Sequence, residues 1–193
     1  MGKKTKQRIL EAGAELVHRK GFNNTGISEI LKAADVPKGS FYFYFSSKEA
    51  FGLELVEYHR AQFVRAMELL LSDDSIPPLE RLKAMFARLR QRLEEGGYTL
   101  GCPIGNLSQE MGDLNPEFEK SLASVFRDMA GPAAGVLSQA KDRGDIPVTV
   151  DPSAMADFMV NSWQGALVRM KVEKSSRPLE LFDTFVFDTL LSV

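Results

Sequence analysis

Five donor side chains crowd a short stretch of this chain: Lys38, Ser40, Tyr42, Tyr44 and Lys48. Ammonium and hydroxyl groups at this density suit the oxygens of phosphate esters. Pro37 stands just ahead, where its missing N–H suits the first turn of a short helix. Phe41 and Phe45 lie one helical turn apart and can pack that helix down. Gly39 allows close approach, and Lys38 can donate to a guanine edge. Such a compact, aromatic, donor-rich helix is what a DNA-reading element requires.

A second chemistry is offered by the only cysteine, Cys102. It precedes Pro103 and so falls at the N-cap of a helix, where the positive end of the dipole and free N–H groups favour a thiolate. A lone cysteine also excludes an intramolecular disulfide. Other chemistries find no support. His18 and His59 lack metal-ligand spacing, and are expected exposed and on a polar helix flank respectively. No phosphate-binding glycine loop or Ser/His/Asp signature is present. Neither an enzyme, a metal nor a cofactor is expected.

The charge distribution agrees with a DNA-reading end. The chain has 193 residues and a net charge of −2, yet residues 1–50 hold nine Lys/Arg against five Asp/Glu, a net of +4. The remainder therefore carries −6, and a basic end on an acidic body suits contact with a polyanion at that end. An apolar fraction of 44% is ordinary for a folded protein and disfavours disorder. No signal core or membrane-length apolar run is evident, so a soluble cytoplasmic protein is the default.

The elements that must position these residues are helices. Ile9, Ala12, Leu16 and Val17 share one face of a first helix that Gly21 stops. Thr25 is suited to cap a second helix carrying Ile27, Ile30 and Leu31. Ala33 to Val36 form a tight turn into the aromatic helix. Ser46 or Ser47 caps a long fourth helix ending before the 72–78 loop. A fifth runs from about Leu79 to Leu93, and a sixth opens at Pro103 and ends near Gly112. A seventh runs from Asn115-Pro116 toward Arg143-Gly144, with Pro132 expected to kink or split it. Asp151-Pro152 opens an eighth, and Arg177-Pro178 a ninth reaching nearly to the C-terminus. The expected class is all-α with about nine helices.

Together, Arg8-Ile9-Leu10, Ala12, Gly21-Phe22, Thr25, Glu29-Ile30, Ala33, Val36 through Tyr42, Phe45 and Lys48-Glu49 resemble the TetR family of bacterial transcriptional regulators. The resemblance implies a three-helix helix-turn-helix DNA-binding domain over 1–48, then a larger helical effector-binding and dimerisation domain over 49–193. It implies that Pro37, Lys38, Gly39, Ser40 and Tyr42 form the recognition helix, and that Thr25, Tyr42, Tyr44 and Lys48 meet phosphate. Asp35 stands where the family turn usually has glycine. The implied partners are a pseudo-palindromic duplex operator and a second copy of the chain, joined through the last two helices. A two-fold dimer would set its recognition helices roughly 34–36 Å apart, matching successive major grooves.

The stretch from Gly101 to Glu110, with Trp163-x-Gly165-Ala166 and Lys171, resembles a TetR subgroup that includes N-ethylmaleimide- and acrylate-responsive repressors. That resemblance implies an effector sensed at or near Cys102, with Lys171 as its partner, either as a reversible small ligand or as an electrophile or oxidant acting on the thiol. Phe86, Asn106, Met111, Phe126, Met159 and Trp163 are candidate pocket lining, each also explicable as core. The competing class is a helical interaction module of the same fold that lacks specific DNA binding; survival of Lys38, Tyr42 and Lys48 argues against it. Inducer, operator and regulated genes are not encoded in these patterns.

Overall fold

The computed structural model describes residues 2–193, which form nine α-helices and no strand. They are α1 (Gly2–Lys20), α2 (Ile27–Ala33), α3 (Phe41–Tyr44), α4 (Lys48–Leu71), α5 (Pro78–Glu95), α6 (Pro103–Met111), α7 (Pro116–Asp142), α8 (Pro152–Glu173) and α9 (Arg177–Asp183). The boundaries follow local chemistry. Four helices, α5 to α8, open on a proline, whose ring presets the helical φ and whose absent N–H has no partner there anyway. Ser47 caps α4 by accepting from Ala50 N–H at 3.0 Å. Asn115 accepts from Glu117 and Phe118 ahead of α7, and Asp151 from Ser153 and Ala154 ahead of α8.

Three expectations about helices need correction. The segment expected to form the recognition helix is not one helix: Lys38–Ser40 form a 3-10 turn that passes into the single α-turn of α3. Pro132 neither ends nor splits α7, which is continuous through it. A proline inside a helix costs about 3 kcal/mol, and the flanking Ala130, Ala133, Val136 and Leu137 are all buried, which holds the segment helical. The last helix also changes character, because α-geometry stops at Asp183 and a π-helical stretch covers Thr184–Leu190.

Contacts divide the chain into two compact units, one of Met1–Gln62 with Pro103–Val125, the other of Phe63–Cys102 with Phe126–Val193. In the first unit, Ile9, Phe22, Ile30, Leu31, Phe41, Phe51 and Phe118 are fully or almost fully buried. Phe41 meets Phe45 at 5.1 Å and Phe51 at 5.6 Å between ring centroids. Such contacts add roughly 0.5–1.5 kcal/mol each beyond area burial. A Cβ at Gly13 would lie 2.3 Å from the Phe51 ring, so α1 reaches α4 only because position 13 has no side chain.

The second unit is centred on Phe86, Trp163, Phe182 and Phe187. Phe86 lies 4.9 Å from Trp163 and 4.7 Å from Phe182, ring to ring. Arg81 is buried in the same unit, 4% exposed, and its charge is met by three acceptors. Its guanidinium donates to Leu71 O at 2.7 Å, Asp74 Oδ1 at 3.0 Å and Gln139 Oε1 at 2.5 Å.

Candidate nucleic-acid interface and effector region

The turn between α2 and α3 is built by the backbone. Val36 N–H bonds Leu31 O at 3.0 Å and Asp35 N–H bonds Lys32 O at 3.2 Å, the paired closure of a Schellman ending. Asp35 supplies the left-handed residue this closure requires, with φ of 51°. Arg8 of α1 then pins the turn, donating to Ala34 O at 2.6 Å and to Asp35 O at 2.9 Å.

From this turn the chain emerges at Pro37, and Pro37, Lys38 and Gly39 are all exposed. Phe41 and Phe45 point into the core, as their spacing predicts, while Tyr42 stands 67% exposed beside them. Tyr44 and Ser40 are half-buried. Phe43, which sequence patterns did not single out, is 80% exposed, its ring edge-on to Tyr44 at 4.9 Å. The signal that could have revealed it is a helical one: with 41 and 45 facing inward, 42 and 43 must face outward.

One expected contact is placed differently. Thr25 neither caps α2 nor faces outward. Its side chain is fully buried, its hydroxyl donates to Gly21 O at 2.7 Å, and Gly26 occupies the N-cap position without a side-chain bond. Turn geometry explains this, since Gly21 has φ of 88° and brings its carbonyl back over residue 25. Lys48, half-buried at the start of α4, donates to Asn23 O at 3.3 Å and lies 4.9 Å from the Phe22 ring centroid. Beside it, hydrogen bonding to the backbone N–H at its own position, and then to the Ser47 hydroxyl, holds the Glu49 carboxyl below its ordinary value.

The histidines also differ from expectation. His18 is half-buried, and so is His59, whose Nε2 has no hydrogen-bond partner among the described residues. Burial, and then the charge of nearby His18, lower the His59 pKa from 6.5 to about 4. Among the described residues, no cluster of three His, Cys, Asp or Glu side chains could hold a metal, and no helix is long and apolar enough to cross a membrane.

Of the candidate effector residues, Cys102, Phe126, Met159, Trp163 and Lys171 belong to the second unit and Asn106 to the first. Cys102 directly precedes the first residue of α6, as expected, and packs partly buried against the second unit's core. Met159 and Trp163 are core residues, Trp163 wedged between Phe86 and Phe182. Phe126, Asn106 and Lys171 are half-buried, Lys171 in the last turn of α8. On α8, α9 and the π-helical stretch that follows, the same unit carries an open apolar groove of about 340 Å³, lined by Phe158, Ala166, Leu181, Phe182, Phe185 and Val186.

The sequence and fold are shared with known proteins. Residues 9–55 match the model of the bacterial regulatory proteins of the tetR family, and residues 78–186 that of the tetracyclin repressor-like C-terminal domain. The chain is 36% identical over 186 residues to the HTH-type transcriptional repressor DhaR of Mycobacterium sp., covering 96% of this chain and 92% of that protein. It is 38% identical over 176 residues to the transcriptional regulator AcuR of Cereibacter sphaeroides, covering 91% and 80%. The crystal structure of Escherichia coli NemR in its reduced form superposes with a TM-score of 0.90 at 29% identity, covering 98% of this chain and 97% of that one.

Proposed function

The chain belongs to the TetR family of DNA-binding transcriptional regulators, and we propose that it is a repressor that grips a pseudo-palindromic operator as a homodimer and leaves it when an effector is sensed near Cys102. The observation that carries the DNA-binding reading is the outward face of residues 37–44, held on the buried rings of Phe41 and Phe45. Lys38 and Gly39 approach base edges; Tyr42, Tyr44 and Lys48 hold phosphates; Phe43 packs on a thymine methyl, the one apolar feature of the major groove. Thr25 acts from within by shaping the turn.

The homodimer reading rests on the groove of α8, α9 and the following π-helical stretch, where Phe158 and Phe185 are exposed at 45% and 57%. Exposed aromatic rings in a contiguous patch mark an association surface. The sensing reading rests on Cys102 at the start of α6, and on a relative, NemR, whose solved form is distinguished as reduced. An effector acts only if it binds the DNA-free state better than the DNA-bound one.

Titrating N-ethylmaleimide into the protein–operator complex tests the sensing reading. Its maleimide alkene adds to the Cys102 thiolate: a C–S bond forms, and the carbon beside the carbonyl takes a proton from water. Release of DNA with a mass increase on Cys102, both abolished in Cys102→Ser, supports covalent sensing. Cys102 modified without release contradicts it, whereas release by the reagent unchanged in Cys102→Ser indicates another site.

A further inference from the structure

One residue of the α1–α2 turn is held from two sides. Glu110, near the end of α6, spreads its carboxylate over that residue, Asn23, and the one before it: Oε1 accepts from Phe22 N–H at 3.1 Å and Oε2 from Asn23 N–H at 3.0 Å. On its other side, the Asn23 carbonyl accepts from Lys48 Nζ at 3.3 Å. The fit around the carboxylate is close. A Cβ at Gly21 would come within 2.7 Å of Glu110 Oε1, so the carboxylate occupies the space a side chain at 21 would need. Phe22 is fixed beneath, 5.5 Å from Phe118 and against Gly52.

From this arrangement we infer that Glu110 is a positioning residue for DNA binding: it fixes the Phe22–Asn23 backbone and, through the Asn23 carbonyl, sets the Lys48 ammonium for its phosphate. The inference rests on the reading of Lys48 as a phosphate contact. Two backbone N–H groups bonded to a carboxylate are held more firmly than neutral pairs would be. Without it they turn to water, the Asn23 carbonyl loses its fixed direction, and the lysine's four-carbon stem recovers rotamer freedom that DNA binding must then remove. The sign is diagnostic. Deleting a negative charge from a DNA-binding head should by itself strengthen binding to a polyanion, whereas loss of the positioning contact weakens it.

A double-mutant cycle tests this, using a duplex selected from a random-sequence library by the wild-type protein. Glu110→Ala, Glu110→Gln, Lys48→Ala and the Glu110→Ala/Lys48→Ala pair are compared by gel shift across a salt series, with circular dichroism confirming that each is folded. Glu110→Gln, isosteric and uncharged, serves where Glu110→Ala does not fold. Lys48→Ala should weaken binding about tenfold and reduce the slope of log K against log salt by about 1. Glu110→Ala should weaken binding several-fold with a similar loss of slope, and Lys48→Ala should then cost less than twofold more. Unchanged or tighter binding by Glu110→Ala, or an undiminished cost of Lys48→Ala in its background, overturns the inference while leaving the Lys48 reading intact. If Lys48→Ala alone alters neither affinity nor slope, the phosphate reading fails and the inference with it.

Discussion

Arg8 and Asp35 are joined twice across the head: the arginine Nη2 bonds the Asp35 carbonyl at 2.9 Å and its carboxylate at 3.3 Å, and it also reaches the neighbouring Ala34 carbonyl at 2.6 Å. The carbonyl bonds hold the turn; the Asp35 side chain is 99% exposed, so its ion pair contributes little. Asp35→Gly therefore keeps the pinning while removing a negative charge beside the recognition segment. Relief of the left-handed φ and the greater freedom of glycine in the unfolded chain offset each other to within about 1 kcal/mol. The expected outcome is a nearly unchanged urea midpoint with tighter operator binding, the gain being largest at low salt.

Phe41 and Tyr42 are adjacent but should fail differently. Phe41 is fully buried, and Phe41→Ala should cost about 3–5 kcal/mol of stability in denaturant unfolding. Tyr42→Phe removes only an exposed hydroxyl. It should leave stability unchanged and weaken operator binding about tenfold, as expected for one hydrogen bond to a charged oxygen.

His59 sets a pH dependence of stability. Its folded pKa is lowered to about 4 against 6.5 for an ordinary histidine, so the unfolded chain binds the extra proton. The stabilisation from keeping it neutral is full above about pH 6.5 and is lost as pH falls toward 4, reaching on the order of 3 kcal/mol. Urea unfolding between pH 7 and 4.5 should show this decline, and His59→Leu should flatten it.

Arg81 links the end of α4, the following loop and α7 through Leu71, Asp74 and Gln139. Arg81→Ala leaves a void and a buried carbonyl without its donor. Thermal unfolding should report a loss of about 2–4 kcal/mol, with DNA affinity of the folded fraction preserved.

Phe185, on the π-helical stretch after α9, is the most exposed aromatic ring of the apolar groove it shares with α8 and α9. If that groove is the proposed dimer contact, Phe185→Glu should place an uncompensated charge within it. Light scattering should then show monomers at micromolar concentration, and operator affinity should fall at least a hundredfold as one of two half-sites is lost.

Much of this was legible in the sequence because it is local. Asn115-Pro116 and Asp151-Pro152 announce helix starts through side-chain oxygen and ring alone, and Ser47 caps α4 from three residues away. The spacing of Phe41 and Phe45 identified the inward face of α3. What was not legible depends on distant parts of the chain. Thr25 looks like a cap, but Gly21 folds its carbonyl back to take the hydroxyl. Glu110 looks like ordinary helix charge until α6 lies beside a turn 88 residues earlier. Pro132 looks like a break, and only burial of its neighbours shows why α7 continues. His59 and Arg81 carry polar groups on helices whose burial no local pattern reveals.

The decisive measurement is quantitative DNA binding by the intact protein across a salt series, comparing the duplex upstream of its own gene with a scrambled duplex of equal length. Specific binding to the former, falling steeply with salt and lost on replacing Lys38 and Tyr42 together by alanine, is the expected result. Equal affinity for both duplexes, or specific binding untouched by those two substitutions, would contradict a recognition element at residues 37–44.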